Sequence, residues 1–132
     1  MNDHQKHMAQ ACKQGAENDT MAFPDSVKQL TEAGFDRYVV DFCQATMTYY
    51  LPASESLTFS FLHEATAIPE TFAVETIKDA IRAAQTKREN YTYQWFCQAV
   101  MEAGCIGYLV SLLGKRVVYF GRTGDSHVEY FP

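Results

Sequence analysis

The sequence predicts an α+β fold: two pseudo-equivalent helix-β-β-β repeats forming a mostly antiparallel sheet of about six strands, with three to four helices on one face. Three observations predict it. The phrase "EAGFDRYVV" at 32–40 returns as "EAGCIGYLV" at 102–110, an offset of 70 residues. The pattern of apolar residues switches at both glycines from helical spacing to strict alternation. Each alternating stretch is then cut into three by turn-forming residues. At the same offset Tyr38 matches Tyr108, Val40 matches Val110, Tyr49 matches Tyr119, Ser56 matches Ser126 and Phe61 matches Phe131, with no gap. Over 30–61 this gives eight identities in 32 positions, against about two expected between unrelated chains of ordinary composition.

The elements follow in order. The first helix of the repeat spans Pro24 to Ala33, with proline in its first turn and Val27, Leu30 and Ala33 on one face. Gly34 stops it, because glycine tolerates the left-handed conformation that ends helices. Tyr38, Val40 and Phe42 then alternate with Arg37, Val39 and Asp41, which is a strand. "MTYYL" and "LTFSF" are the next two strands, reached through the short loops "CQAT" and "PASES". Between the copies, Val74, Ile77, Ile81 and Ala84 recur at helical spacing behind "IPET", so a connecting helix is expected over about 69–87. Carried back by the same offset, this helix falls on the segment holding His4, His7, Met8 and Ala11, which would extend the unit to helix, helix and three strands. The second copy opens with Thr92 as N-cap and Phe96, Val100 and Ala103 on one stripe. It continues through Gly104 into "GYLVS", "VVYFG" and "HVEYF", with "LGKR" and "RTGDS" as turns. The repeats are thus 24–61 and 94–131 within one domain, 1–132, long enough to bury roughly two thirds of its unfolded surface.

Composition bounds the function. The chain is 47% hydrophobic and 20% charged, with a formal net charge of −5. An acidic chain lacks the positive field that holds a phosphate backbone, so nucleic acid is not expected as a partner. Lys115, Arg116 and Arg122 read as a solvated edge. No apolar run is long enough for a membrane span and no leader pattern precedes the fold, so a cytoplasmic protein without a membrane partner is expected. The four cysteines, Cys12, Cys43, Cys97 and Cys105, form no CxxC pair and are read as buried thiols. His4 and His7 share a helical turn without a third ligand, so no metal and no cofactor is expected.

Candidate chemistry lies where the copies disagree, because shared positions are explained by the shared fold. Leu57, Phe59 and Phe61 on the third strand become His127, Glu129 and Phe131 in the second copy. An imidazole and a carboxylate on one strand face could form an acid/base couple, since the carboxylate orients the ring; a wet edge strand also explains them and is the preferred reading. Asp41, replaced by Ser111, is read as a cross-strand partner of Arg37 or Arg116. A cysteine nucleophile would need His63 or His127 beside it. Tyr38, Tyr49, Tyr108 and Tyr119 repeat with the fold and are read as packing anchors. The catalytic candidates are therefore His127 and Glu129, and the ligand-binding candidates are Asp41, Arg122 and Tyr119.

The phrases "FDRYVVDFC", "TYYLP", "AGCIGYLVSLLGKRVVYFGRTG" and "HVEYFP" resemble the YbcV/YdfO-like family of small enterobacterial, prophage-borne proteins over nearly the whole chain. The resemblance implies a domain of unknown function and brings no site residue with it. Three readings stand: a non-catalytic module binding a host protein or small ligand at the groove between the halves, a small enzyme built on His127 and Glu129, and a homodimeric structural protein pairing through an exposed strand.

Overall fold

The computed structural model describes residues 1–61 and 66–132. The chain runs α1 (Asp3–Glu17), α2 (Phe23–Glu32), β1 (Arg37–Asp41), β2 (Thr46–Tyr50), β3 (Ser56–Ser60), α3 (Val74–Gln85), α4 (Tyr93–Glu102), β4 (Cys105–Ser111), β5 (Arg116–Gly121) and β6 (Ser126–Tyr130). The strands form one antiparallel sheet in the order β3-β2-β1-β4-β5-β6. The pattern of two helices and three strands occurs twice, so the expected α+β architecture with its repeat is present.

The two halves meet where β1 pairs with β4, and Val39 lies opposite Leu109. These residues are 70 apart, so the ladder is centred on equivalent positions and an approximate twofold axis passes between them. Registers elsewhere repeat in step. Tyr38 faces Tyr49 as Tyr108 faces Tyr119, and Tyr49 faces Leu57 as Tyr119 faces His127. Gly34 and Gly104 have φ of 99° and 98°, and the turn residues Ala45 and Lys115 have φ of 57° and 52°. Phe61 N–H donates to Ala45 O at 3.0 Å, and Phe131 N–H donates to Lys115 O at 2.9 Å.

One face of the sheet is covered. Tyr38, Val40, Met47, Tyr49, Tyr108, Val110, Val117 and Tyr119 are buried on it, and the helices close the same core with Ala9 and Cys12, Leu30, Ile77 and Ile81, and Phe96 and Val100. Thr92 Oγ1 accepts from Trp95 N–H at 3.0 Å, the expected cap on α4. Such a cap contributes about 1 kcal/mol, whereas fully burying one Leu, Ile or Val contributes about 1.5–3 kcal/mol. Packing therefore holds these short helices, and side-chain caps mark the starts of α1 and α4 but not of α2 and α3.

The expected connecting helix begins later than its periodicity suggests, at Val74 and not at Pro69. Residues 66–73 instead form a strap against the second half. Ala73 N–H donates to Ala103 O at 2.8 Å, and a Cβ at Gly104 would stand 2.1 Å from Thr71 O while one at Gly121 would stand 2.7 Å from Phe72 Cδ1. The strap satisfies a carbonyl at the end of α4 and packs Phe72 against β5, which outweighs one more helical turn. In the first half the equivalent carbonyl, Ala33 O, accepts from the Gln5 side chain at 3.0 Å.

Gly34 and Gly104 thus share a conformation but differ in surroundings. Gly34→Ala should cost about 1–2 kcal/mol for the left-handed backbone alone, and Gly104→Ala should cost about 3 kcal/mol or more because the strap must also shift. Urea unfolding of the two variants measures the difference.

Burial also sets an alkaline limit. It holds the phenols of Tyr38, Tyr49, Tyr93, Tyr108 and Tyr119 above their ordinary 10.0 and raises the thiols of Cys97 to about 12 and Cys105 to about 11 from 9.0. These groups are neutral in the fold, so stability is complete below about pH 9 and falls as the unfolded chain loses protons that the folded chain retains. Each contributes a slope of up to about 1.4 kcal/mol per pH unit, and urea midpoints measured from pH 7 to 11 should drop steeply above 9.

Candidate functional site

The approximate twofold axis places the end of β1 beside the start of β4, and the turn after each strand closes over that end of the sheet. Phe42 N–H donates to Ile106 O at 3.0 Å there, as Leu112 N–H donates to Asp36 O at 2.9 Å at the other end. The two ends therefore have the same backbone and different side chains. Where the first half has Asp36, paired with Arg37 at 2.7 Å, the second has Ile106. The Ile106 end is the apolar one.

An open groove of about 540 Å³ lies at that end. Phe42, Cys43 and Ala45 from the β1–β2 turn form one wall, and Ile106 and Arg122 from the second half form the other. Thr66 and Ile68 of the strap close the side. A recess of about 140 Å³ beside it shares Cys43 and Ile106 and adds Val39, Asp41 and Phe120 on the helix-free face of the sheet. Arg122 donates one N–H to Ile68 O at 3.1 Å and has no carboxylate partner among the described residues. The site is an apolar slot with one guanidinium at its rim, a geometry that buries hydrocarbon and orients an acceptor.

Asp41 does not make the cross-strand pair expected of it. Its Oδ1 accepts from Cys43 N–H at 2.9 Å and Gln44 N–H at 3.0 Å, closing the β1–β2 turn. Ser111 Oγ accepts from Gly114 N–H at 2.8 Å in the equivalent turn. Asp41 and Ser111 differ in charge and share a task, because either oxygen can replace a backbone acceptor in a tight turn. Arg37 lies over the Tyr50 ring at 4.4 Å and Arg116 over the Tyr130 ring at 4.8 Å. Lys115 and Arg116 lie at one end of β5 and Arg122 beyond the other, so the basic residues do not cluster.

His127, Glu129 and Tyr119 belong to a different place. They lie on the helix-facing side of β5 and β6, and β6 is the edge of the sheet. His127 Nε2 and Glu129 Oε2 are 2.8 Å apart, with side chains 15% and 33% exposed. The imidazole stacks on Tyr119 at 6.5 Å between centroids and 23° between planes. Neither His127 nor Glu129 lines the groove or the recess. His63, considered as a cysteine activator, lies outside the described residues. His4 and His7 stand on α1, and no group of three metal-ligating side chains converges among the described residues.

Sequence reasoning named Asp41 and Arg122 as ligand-binding candidates without locating them, and missed Phe42, Cys43 and Ile106. The signal for Ile106 was present, since it replaces Asp36 at the same offset. Cys43 corrects an expectation: it is exposed, whereas Cys12, Cys97 and Cys105 are buried. Its side chain lies in a turn whose backbone is held by Asp41, so it opens onto the groove in place of the core.

In native protein an excess of iodoacetamide should therefore modify Cys43 within minutes and leave Cys12, Cys97 and Cys105 unmodified, while unfolded protein takes four labels per chain. Peptide mass spectrometry reads the sites directly, and rapid labelling of Cys97 or Cys105 would contradict their burial.

No helix of the described residues is long and apolar enough to cross a membrane. No curated protein matches the chain. A family model described as "Protein of unknown function (DUF1398)" matches residues 6–129, from within α1 to Glu129 of β6, and so spans both halves. On that match the chain belongs to the DUF1398 family.

Proposed function

We propose that the protein is a non-catalytic binding module of a prophage or accessory gene set, and that its ligand is a small, largely apolar molecule carrying a carboxylate. The gene-set part rests on the resemblance to the YbcV/YdfO-like proteins. The ligand part is carried by one observation: Arg122, without a carboxylate partner among the described residues, stands at the rim of an apolar groove walled by both halves. Apolar walls supply affinity without direction, and the guanidinium fixes orientation by two parallel hydrogen bonds to a carboxylate. An acid/base reaction at His127 and Glu129 has less support, since that pair lies away from both cavities and each group bonds the other.

The affinity expected is modest. A ligand of about 15 non-hydrogen atoms gaining about 0.3 kcal/mol each is held by roughly 5 kcal/mol, a sub-millimolar Kd. Amide NMR shifts suit that range. Titration with arylalkyl carboxylates should move the resonances of Cys43, Ile106 and Arg122, and their primary amides should bind about tenfold more weakly. Arg122→Ala should remove the preference for the acid over the amide while leaving the amide's affinity unchanged. Shifts centred away from the groove, or an unchanged preference in Arg122→Ala, would refute the assignment.

A further inference from the structure

β6 is the sheet edge formed by Ser126–Tyr130, and its residues pair with β5 on one side only. No backbone hydrogen bond to its outer side occurs among the described residues. Natural edges are commonly protected by lysine, proline, a bulge or an inward-pointing charge; "SHVEY" has none of the first three, and its one carboxylate, Glu129, is bonded to His127. Its outer half is instead apolar toward solvent: Val128 is 39% and Tyr130 62% exposed, both on the helix-free face.

The order of side chains in this strand is self-complementary. An antiparallel copy of the same strand, paired about Val128, sets Val128 against Val128 of the second copy. It also sets His127 against Glu129 of the second copy, and Glu129 against its His127. Ser126 then faces Tyr130 of the second copy. The two His–Glu pairs, each 2.8 Å within its own strand, join into a ring in which imidazole and carboxylate alternate. A hydrogen-bonding partner directly opposite a carboxylate across an antiparallel ladder favours a register, and like charges directly opposite disfavour it. A shift of one residue would set His127 or Glu129 opposite Val128, and a shift of two would set His127 against His127 or Glu129 against Glu129, so the imidazole–carboxylate pairing favours this register. The other edge, β3, reads Ser56-Leu57-Thr58-Phe59-Ser60 and carries no charge that could select one.

We propose that β6 is a self-association edge, pairing antiparallel with β6 of a second copy about a twofold axis at Val128 and joining two six-stranded sheets into one. The surface is separate from the Arg122 groove, so neither proposal depends on the other. One ladder of five residues is a small contact, so the dimer should be weak, with a dissociation constant in the micromolar range.

Sedimentation velocity over a concentration series tests this. The full chain should show a monomer–dimer equilibrium, and Val128→Lys, which sets two ammonium groups against each other at an exposed position, should weaken it at least tenfold with an unchanged circular dichroism spectrum. His127→Glu and Glu129→Lys should each dimerise more weakly alone than when mixed, because the mixture sets an ammonium against a carboxylate at one pair and keeps the native imidazole–carboxylate pair at the other. In a Cys43→Ser background, Val128→Cys should form an intermolecular disulfide under mild oxidation, and Thr58→Cys, at the equivalent place on β3, should not. A wild-type chain that stays monomeric at high micromolar concentration, or a Val128→Lys variant that dimerises as well as wild type, would overturn the proposal.

Discussion

The fold depends on one ladder, the antiparallel pairing of β1 with β4 about Val39 and Leu109. Each half of the chain is a three-stranded meander with a helix pair, and such a meander leaves its first strand with an unpaired edge. Pairing the two first strands removes both edges at once. It also buries Val40 and Val110 completely beneath the helices. Because the ladder is antiparallel and centred on equivalent residues, it sends the turn of one half and the strand entry of the other to the same end of the sheet. Both ends are therefore junctions between halves.

Approximate symmetry makes the differences between the halves interpretable. A backbone position occupied twice has the same geometric demands twice, so a change of side chain there is either tolerated or separately useful. Asp41 and Ser111 are tolerated, because both close a turn by accepting backbone N–H groups. Asp36 and Ile106 are different in kind. One forms an ion pair with Arg37 at its end of the sheet; the other lines an apolar slot. The strap of residues 66–73 has a counterpart only in part, since the Gln5 side chain supplies in the first half one hydrogen bond that the strap's backbone supplies in the second. One end of the molecule is thus walled and the other is not.

The helix-free face follows the same logic. Its central row runs Thr58, Thr48, Val39, Leu109, Val118 and Val128 across the sheet. The first half ends this row with a hydroxyl pair, Thr48 and Thr58 at 3.0 Å, where the second has two valines. Threonines bonded to each other remain compatible with water, whereas Val128 at the opposite edge leaves apolar surface in it. The halves share a ladder and diverge in how they meet solvent.

Much of this was present in the sequence. The offset of 70, the glycine stops, the alternation around Tyr38 and Tyr108 and the cap at Thr92 depend on neighbours in the chain, and local periodicity with turn chemistry reports them. The tyrosines were recognisable as core because they recur with the fold. What remained hidden depended on contacts between distant segments. Pro69 to Phe72 fits a helix start by composition and became a strap because Gly104 and Gly121 leave room for it. Cys43 reads like its buried counterparts until the turn it occupies is seen to face outward. The groove exists only because the strand order brings Ile106 beside Phe42, and no spacing along the chain encodes that adjacency. By itself, then, the sequence determined the repeated unit, since periodicity is a property of neighbours. The tertiary structure alone decided which end of the sheet is open and which strand is the edge, since both follow from how two copies of that unit pair.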